Sequence, residues 1–132
     1  SSADRPLIAS VFHNRLKRRM RLDSDPTVIY GMEDFNGNLT RKDLRTPTAY
    51  NTYRRYGLPP TPICSPGVDS IQSALYPANE RFLYFVARGD GTSQFSRSLR
   101  EHNKAVIHSQ KHRRVRKMMR QKRLKQNASS TL

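Results

Sequence analysis

The chain has 132 residues, 35% of them hydrophobic and 27% charged, with a mean hydropathy of -0.83 and a net charge of +15. That length suits one domain with a single core. No run approaches the roughly 20 apolar residues of a membrane span, and the lone Cys64 excludes an intramolecular disulfide. The sequence opens Ser1-Ser2-Ala3-Asp4, with neither an initiator methionine nor an apolar signal run, so any anchor or export signal is expected outside it.

Asp4 followed by Pro6 suits a helix start. Leu7, Ile8, Val11, Phe12, Leu16 and Met20 then recur every three to four residues, which predicts a helix over residues 5 to 20 with one apolar stripe. From Asp23 to Gly67, prolines 26, 47, 59, 60, 62 and 66 and glycines 31, 37, 57 and 67 exclude long regular elements. Within that stretch Thr27 to Tyr30 reads as a strand or as one helical turn capped by Asp25 or Thr27. Asn36-Gly37-Asn38 reads as a turn, and Arg41 to Leu44 as a helical turn.

Pro66-Gly67 leads into a helix of about two turns with Val68, Ile71, Ala74 and Leu75 on one side, stopped at Pro77. The aromatic run Phe82 to Val86, the turn residues Arg88 to Thr92 and the return Gln94 to Ser96 predict a hairpin. A further helix opens at Arg97 or Ser98 and carries Leu99, Val106 and Ile107. The pattern is α+β: helices flanking a small antiparallel sheet, with a long irregular Pro/Gly-rich middle forming a groove. A loop region of that length is expected to be a working surface.

Charge is uneven along the chain. Nine Lys/Arg and no acid lie between Lys111 and Lys125, leaving 16 basic against 10 acidic residues elsewhere. Residues 109 to 132 therefore read as a basic C-terminal tail, helical or disordered, with residues 126 to 132 frayed. His108 and His112 share a helix face but have no third partner at ligand spacing, so a solvated basic face is the reading and no metal site is expected.

Several spaced blocks narrow the class. Ile8-Ala9-Ser10-Val11-Phe12, Asn14-Arg15-Leu16, Met20-Arg21-Leu22, Ser24 to Gly31, Thr46 to Tyr53, Gly57 to Ile63, Pro66-Gly67, Tyr84 to Ala87, Gly89-Asp90-Gly91 and His102-Asn103-Lys104 together resemble the catalytic domain of the MltG (YceG-like) endolytic peptidoglycan transglycosylases. The resemblance covers about residues 7 to 107, and residues 1 to 108 are taken as the domain portion.

The resemblance implies cleavage of the bond between N-acetylmuramic acid and N-acetylglucosamine in nascent glycan strands, with no cofactor, leaving 1,6-anhydro ends. One carboxyl suffices, because the attacking hydroxyl belongs to the substrate and attack becomes intramolecular; ordinary glycosidases need two carboxylates. The family's glutamate is expected a few residues before Ser1, and none of Glu33, Glu80 or Glu101 takes its place, so the chain by itself is expected to be inactive. Tyr50, Asn51 and Tyr53 are the groove-wall candidates, since sugars take aromatic faces and side chains that donate and accept hydrogen bonds; packing tyrosines and a turn-capping Asn51 are the alternative. Asp25, Tyr30 and Asn103 are further candidates. His13 departs from the family's apolar preference and is expected to face solvent.

The implied partner is the peptidoglycan strand, together with peptidoglycan synthases, at the extracytoplasmic face of a bacterial inner membrane. The basic tail would contact anionic lipid or polymer. A basic nucleic-acid-binding or ribosome-associated protein is the competing class, and the absence of aromatics among the basic cluster weighs against it.

Overall fold

The structure is a computed structural model and describes residues 1–130. The chain forms two compact units, one spanning Arg5–Arg81 and one joining Ser1–Asp4 to the chain from Phe82 onward.

The first unit begins with α1 (Arg5–Lys17). Pro6 sits in its first turn, where no amide donor is required. The helix stops three residues short of the expected Met20. Arg19 turns left-handed (φ 54°), its N–H donates to the Leu16 carbonyl at 3.2 Å, and the Met20 N–H donates to the Arg15 carbonyl at 2.9 Å. This is the Schellman closure, made with an arginine where glycine is commonest. Val11, Leu22 and Val28 form the buried apolar centre. Arg15 is buried beside them and donates from Nη1 to the Leu22 carbonyl at 2.7 Å.

The helical alternative holds for the next segment, α2 (Asp25–Tyr30), but Ser24, not Asp25 or Thr27, takes the N-cap position. Asn36 Oδ1 accepts from the Asn38 N–H at 3.0 Å around Gly37 (φ 94°), which makes the expected turn. The helical turn α3 (Arg41–Arg45) is closed by a reciprocal box between Thr40 and Asp43. The two hydrogen bonds from Thr40 hold the Asp43 carboxyl below its usual range.

Helix α4 (Val68–Leu75) forms as expected and packs on α1. Three of its four stripe residues are left exposed, however: Val68, Ile71 and Leu75 are 80%, 46% and 69% exposed, while Ala74, with Ser70 and Ser73, lines a groove that α1 also lines. The junction is made instead by polar links. His13 Nε2 donates to the Ala74 carbonyl at 2.8 Å, and Arg5 pairs with Asp69 at 3.3 Å. The expected solvent-facing His13 is thus a half-buried tie between two helices.

In the second unit, β1 (Tyr84–Ala87) pairs antiparallel with β2 (Ser93–Ser96), Phe85 opposite Phe95. The strand begins two residues later than expected, although the Leu83 N–H still donates to the Ser96 carbonyl. Gly89 and Gly91 supply the positive φ of the turn, and Thr92 donates twice to Asp90 Oδ1, which lowers that carboxyl's pKa. Asp4, expected to start α1, accepts from the Ser93 N–H.

Helix α5 (Leu99–Ser130) follows, and Ser98 Oγ accepts from the Glu101 N–H at its start. It lies on the hairpin through the Tyr84–His102 stack at 5.1 Å and through Ser109 Oγ, which donates to the Ala87 carbonyl. The expected fraying does not occur over residues 126–130, which continue the helix; residues 131 and 132 lie outside the described residues. No helix among the described residues is long and apolar enough to cross a membrane.

Candidate functional site

The first unit folds its proline-rich middle against the segment between α1 and α2 through one polar seam. Thr52 is buried, and its Oγ1 accepts from the Ser24 N–H at 2.9 Å and lies 2.8 Å from Thr27 Oγ1. Thr27 Oγ1 in turn donates to the Ser24 carbonyl. Asn51 is fully buried. Its amide donates to the Leu44 and Thr46 carbonyls at 2.9 and 2.7 Å, and its Oδ1 accepts from the Tyr53 N–H. Every strong hydrogen-bonding function of that side chain is thereby engaged inside the loop, so Asn51 builds the wall from within and presents nothing at its surface.

The seam brings four of the candidate residues together as two pairs along a partly exposed rim. The Tyr53 hydroxyl donates to Asp25 Oδ1 at 2.5 Å. The Tyr30 and Tyr50 rings meet at 4.7 Å with a 59° tilt, and the Tyr50 hydroxyl lies 2.9 Å from Thr61 Oγ1. Tyr30 remains 49% exposed. Burial, reinforced by the bond to Asp25, pushes the Tyr53 phenol well above its ordinary pKa, so it stays a donor. Burial also raises the Asp23 carboxyl, against the pull of Arg15 and Arg21. Asp23 holds a left-handed backbone (φ 49°), which aspartate tolerates better than most residues.

Close approach makes the rim possible. A Cβ on Gly31 would stand 2.6 Å from Thr48 Oγ1 and 3.2 Å from Tyr50 Cβ, so glycine lets the loop segment 48–50 lie directly on the end of α2. Beside the rim runs an apolar groove of about 770 Å³ between α1, α4 and residues 58–63, with Leu22, Ser24 and Thr27 in its lining. Thr61 belongs to both the groove and the rim. A second hollow of about 350 Å³ lies on the other side of Leu58 to Pro60, lined by residues 49–52 and 55–57.

Tyr53 therefore meets Asp25 and Tyr50 meets Tyr30, at the two ends of α2, while Asn51, between the two tyrosines in the chain, is buried. Asn103 is exposed on α5 in the other unit. Glu33, Glu80 and Glu101 are exposed, and Glu101 is engaged in capping α5 through the Arg97 N–H. Thr61, Ser24 and Thr27 were missed by sequence reasoning, as was Tyr56, whose ring carries the Arg21 guanidinium at 4.3 Å. The run Pro59-Pro60-Thr61-Pro62 was the available signal, since a stiff extended segment presents its one hydroxyl at a fixed place. Among the described residues, no group of three or more His, Cys, Asp or Glu is placed to hold a metal ion.

Comparison with known proteins gives this arrangement a context. The chain is 47% identical over 103 residues to an endolytic murein transglycosylase of Bacillus subtilis, covering 78% of this chain and 29% of that protein. It is 34% identical over 109 residues to an endolytic murein transglycosylase of Streptococcus pneumoniae, covering 78% and 20%. A crystal structure of a yceG-like protein from Listeria monocytogenes superposes with a TM-score of 0.70 at 48% identity, over 76% of this chain and 32% of that one. The chain thus spans less than a third of the length of the curated relatives it matches. The sequence model of the YceG-like family matches residues 1–108, and the chain belongs to that family.

Proposed function

We propose that this chain is the substrate-groove portion, residues 1–108, of an endolytic murein transglycosylase. The enzyme would cleave the bond between N-acetylmuramic acid and N-acetylglucosamine in nascent strands, leave 1,6-anhydro ends and so help terminate strand elongation. The observation that carries this reading is the rim: the Asp25–Tyr53 hydrogen bond and the Tyr30–Tyr50 pair, assembled at the edge of an apolar groove by the segments that carry the family blocks.

In this reading the tyrosine faces stack on sugar rings. Asp25 keeps an acceptor fixed for a sugar hydroxyl or amide, because Tyr53 occupies its other side. Asn51 supports the wall, and Asn103 is a second contact point on α5. In this reading the general acid is the glutamate of the family motif, a role that none of Glu33, Glu80 and Glu101 takes. Peptidoglycan synthases at the extracytoplasmic face of the inner membrane are the expected neighbours, and the basic end of α5 serves contact with an anionic lipid or polymer.

Product chemistry tests the proposal. Preceded by the corresponding upstream segment of the Bacillus subtilis relative, the chain should release fragments with 1,6-anhydro ends from peptidoglycan, while the chain alone gives no turnover. Products ending in reducing sugars would contradict it.

A further inference from the structure

The distal half of α5 has two different lengthwise faces. Residues 109, 113, 116, 120 and 123 follow one another at spacings of four and three, and so fall on one line of the helix. That line faces the hairpin: Ser109 Oγ and Arg113 Nη2 donate to the Ala87 carbonyl at 2.9 and 3.5 Å, and Arg116 Nη1 donates to the Gly89 carbonyl at 3.2 Å. Lys111, Val115, Met118, Lys122 and Lys125 form a second line with the same spacing, turned away from the hairpin, and Met119 lies beside it. Val115, Met118 and Met119 are 47%, 59% and 61% exposed.

The distal charge on this helix meets no acidic side chain of its own. No carboxylate occurs from His102 to Ser130. The acids of the same unit are engaged elsewhere: Asp4 with the Ser93 N–H, Asp90 with Thr92, and Glu101 with the Arg97 N–H. Like charges three and four apart destabilise a helix, so an anionic surface laid along it relieves a repulsion that no Asp or Glu side chain of the helix beyond Glu101 relieves.

Two features favour a lipid surface over a nucleic acid. The outward line sets exposed Val115 and Met118 between its lysines; a phosphate backbone does nothing to offset that apolar exposure, whereas a bilayer interface buries such side chains while flanking lysines reach up to the headgroups. No Phe, Tyr or Trp lies between residues 109 and 130 to stack on a base, and the His112 ring is already packed edge-on against His108.

We infer that the distal half of α5 docks on an anionic lipid bilayer through its Val115–Met118–Met119 face, with Lys111, Lys122 and Lys125 contacting the headgroups. This deepens the proposed contact of the basic end, but its test involves no glycan cleavage and stands or falls separately from the transglycosylase reading.

The test is co-sedimentation of the full chain with vesicles at low salt. It should bind phosphatidylcholine vesicles containing phosphatidylglycerol and leave pure phosphatidylcholine unbound. Each headgroup-facing cation contributes about five-fold, so Lys122→Gln with Lys125→Gln should weaken binding roughly 25-fold. Met118→Ser with Met119→Ser should weaken vesicle binding and leave binding to a soluble polyanion such as heparin unchanged. These exposed changes leave the hairpin intact, which circular dichroism verifies. Equal binding to neutral vesicles, no binding to anionic ones, full binding by the methionine variant, or tighter binding to an RNA oligonucleotide than to anionic vesicles would each overturn the inference.

Discussion

The Tyr53 hydroxyl donates to Asp25 Oδ1 at 2.5 Å, fixing the proline-rich middle to the first turn of α2. Because burial and this bond raise the phenol's pKa above the ordinary 10.0, its stabilising contribution is fully present below pH 10 and is lost as pH rises through the raised folded value. A spectroscopic titration should show one tyrosine ionising later than the others. Tyr53→Phe should remove that phase, and Asp25→Asn should move it part of the way back, since burial remains. Titration of all tyrosines together would contradict the arrangement.

Asn51 ties two carbonyls and an amide inside the loop with no exposed surface. Asn51→Ala removes the donor from the Leu44 and Thr46 carbonyls and the acceptor from the Tyr53 N–H, and should cost about 1–3 kcal/mol, read as a fall in the denaturation midpoint.

Gly31 and Gly67 form a matched pair. An added methyl at Gly31 meets Thr48 and Tyr50, while at Gly67 it meets open space. Gly31→Ala should destabilise by about 1–3 kcal/mol and separate the Tyr30–Tyr50 pair. Gly67→Ala should be neutral within about 0.5 kcal/mol by thermal melting.

Arg19 closes α1 in a left-handed conformation that costs an L side chain energy. Arg19→Gly should therefore stabilise the chain by about 0.5–1 kcal/mol, which chemical denaturation would detect. A loss of stability would mean that the arginine side chain contributes more than its backbone costs.

Local chemistry was legible where adjacent residues settle the matter. Arg41 to Leu44 reads as the turn that forms α3, Arg97 or Ser98 as the opening of α5, and Asn36-Gly37-Asn38 as a turn. The end of α1 was not legible, because Arg19 carries no mark of a left-handed residue and Met20 keeps the apolar rhythm. The facing of α4 was hidden for a related reason: its contact with α1 runs through the Ala74 carbonyl and His13, and backbone acceptors have no sequence signature. At the site, the segments around Asp25 and Tyr50 could be singled out from residue types and from the family resemblance. That Tyr53 reaches Asp25, Tyr50 reaches Thr61 and Asn51 points inward depends on contacts across 28, 11 and 7 residues respectively.

The most direct measurement is an NMR titration of this chain with soluble peptidoglycan glycan fragments, using Tyr50→Ala and Tyr53→Phe as controls. Amide shifts should concentrate in residues 24–31 and 50–61, and weaken by about ten-fold in affinity when Tyr50 is removed, as expected for the loss of one stacked aromatic ring worth roughly 1.4 kcal/mol. Shifts absent from those segments, or unchanged in both variants, would contradict the assignment of the Asp25–Tyr53 rim as the glycan-binding edge.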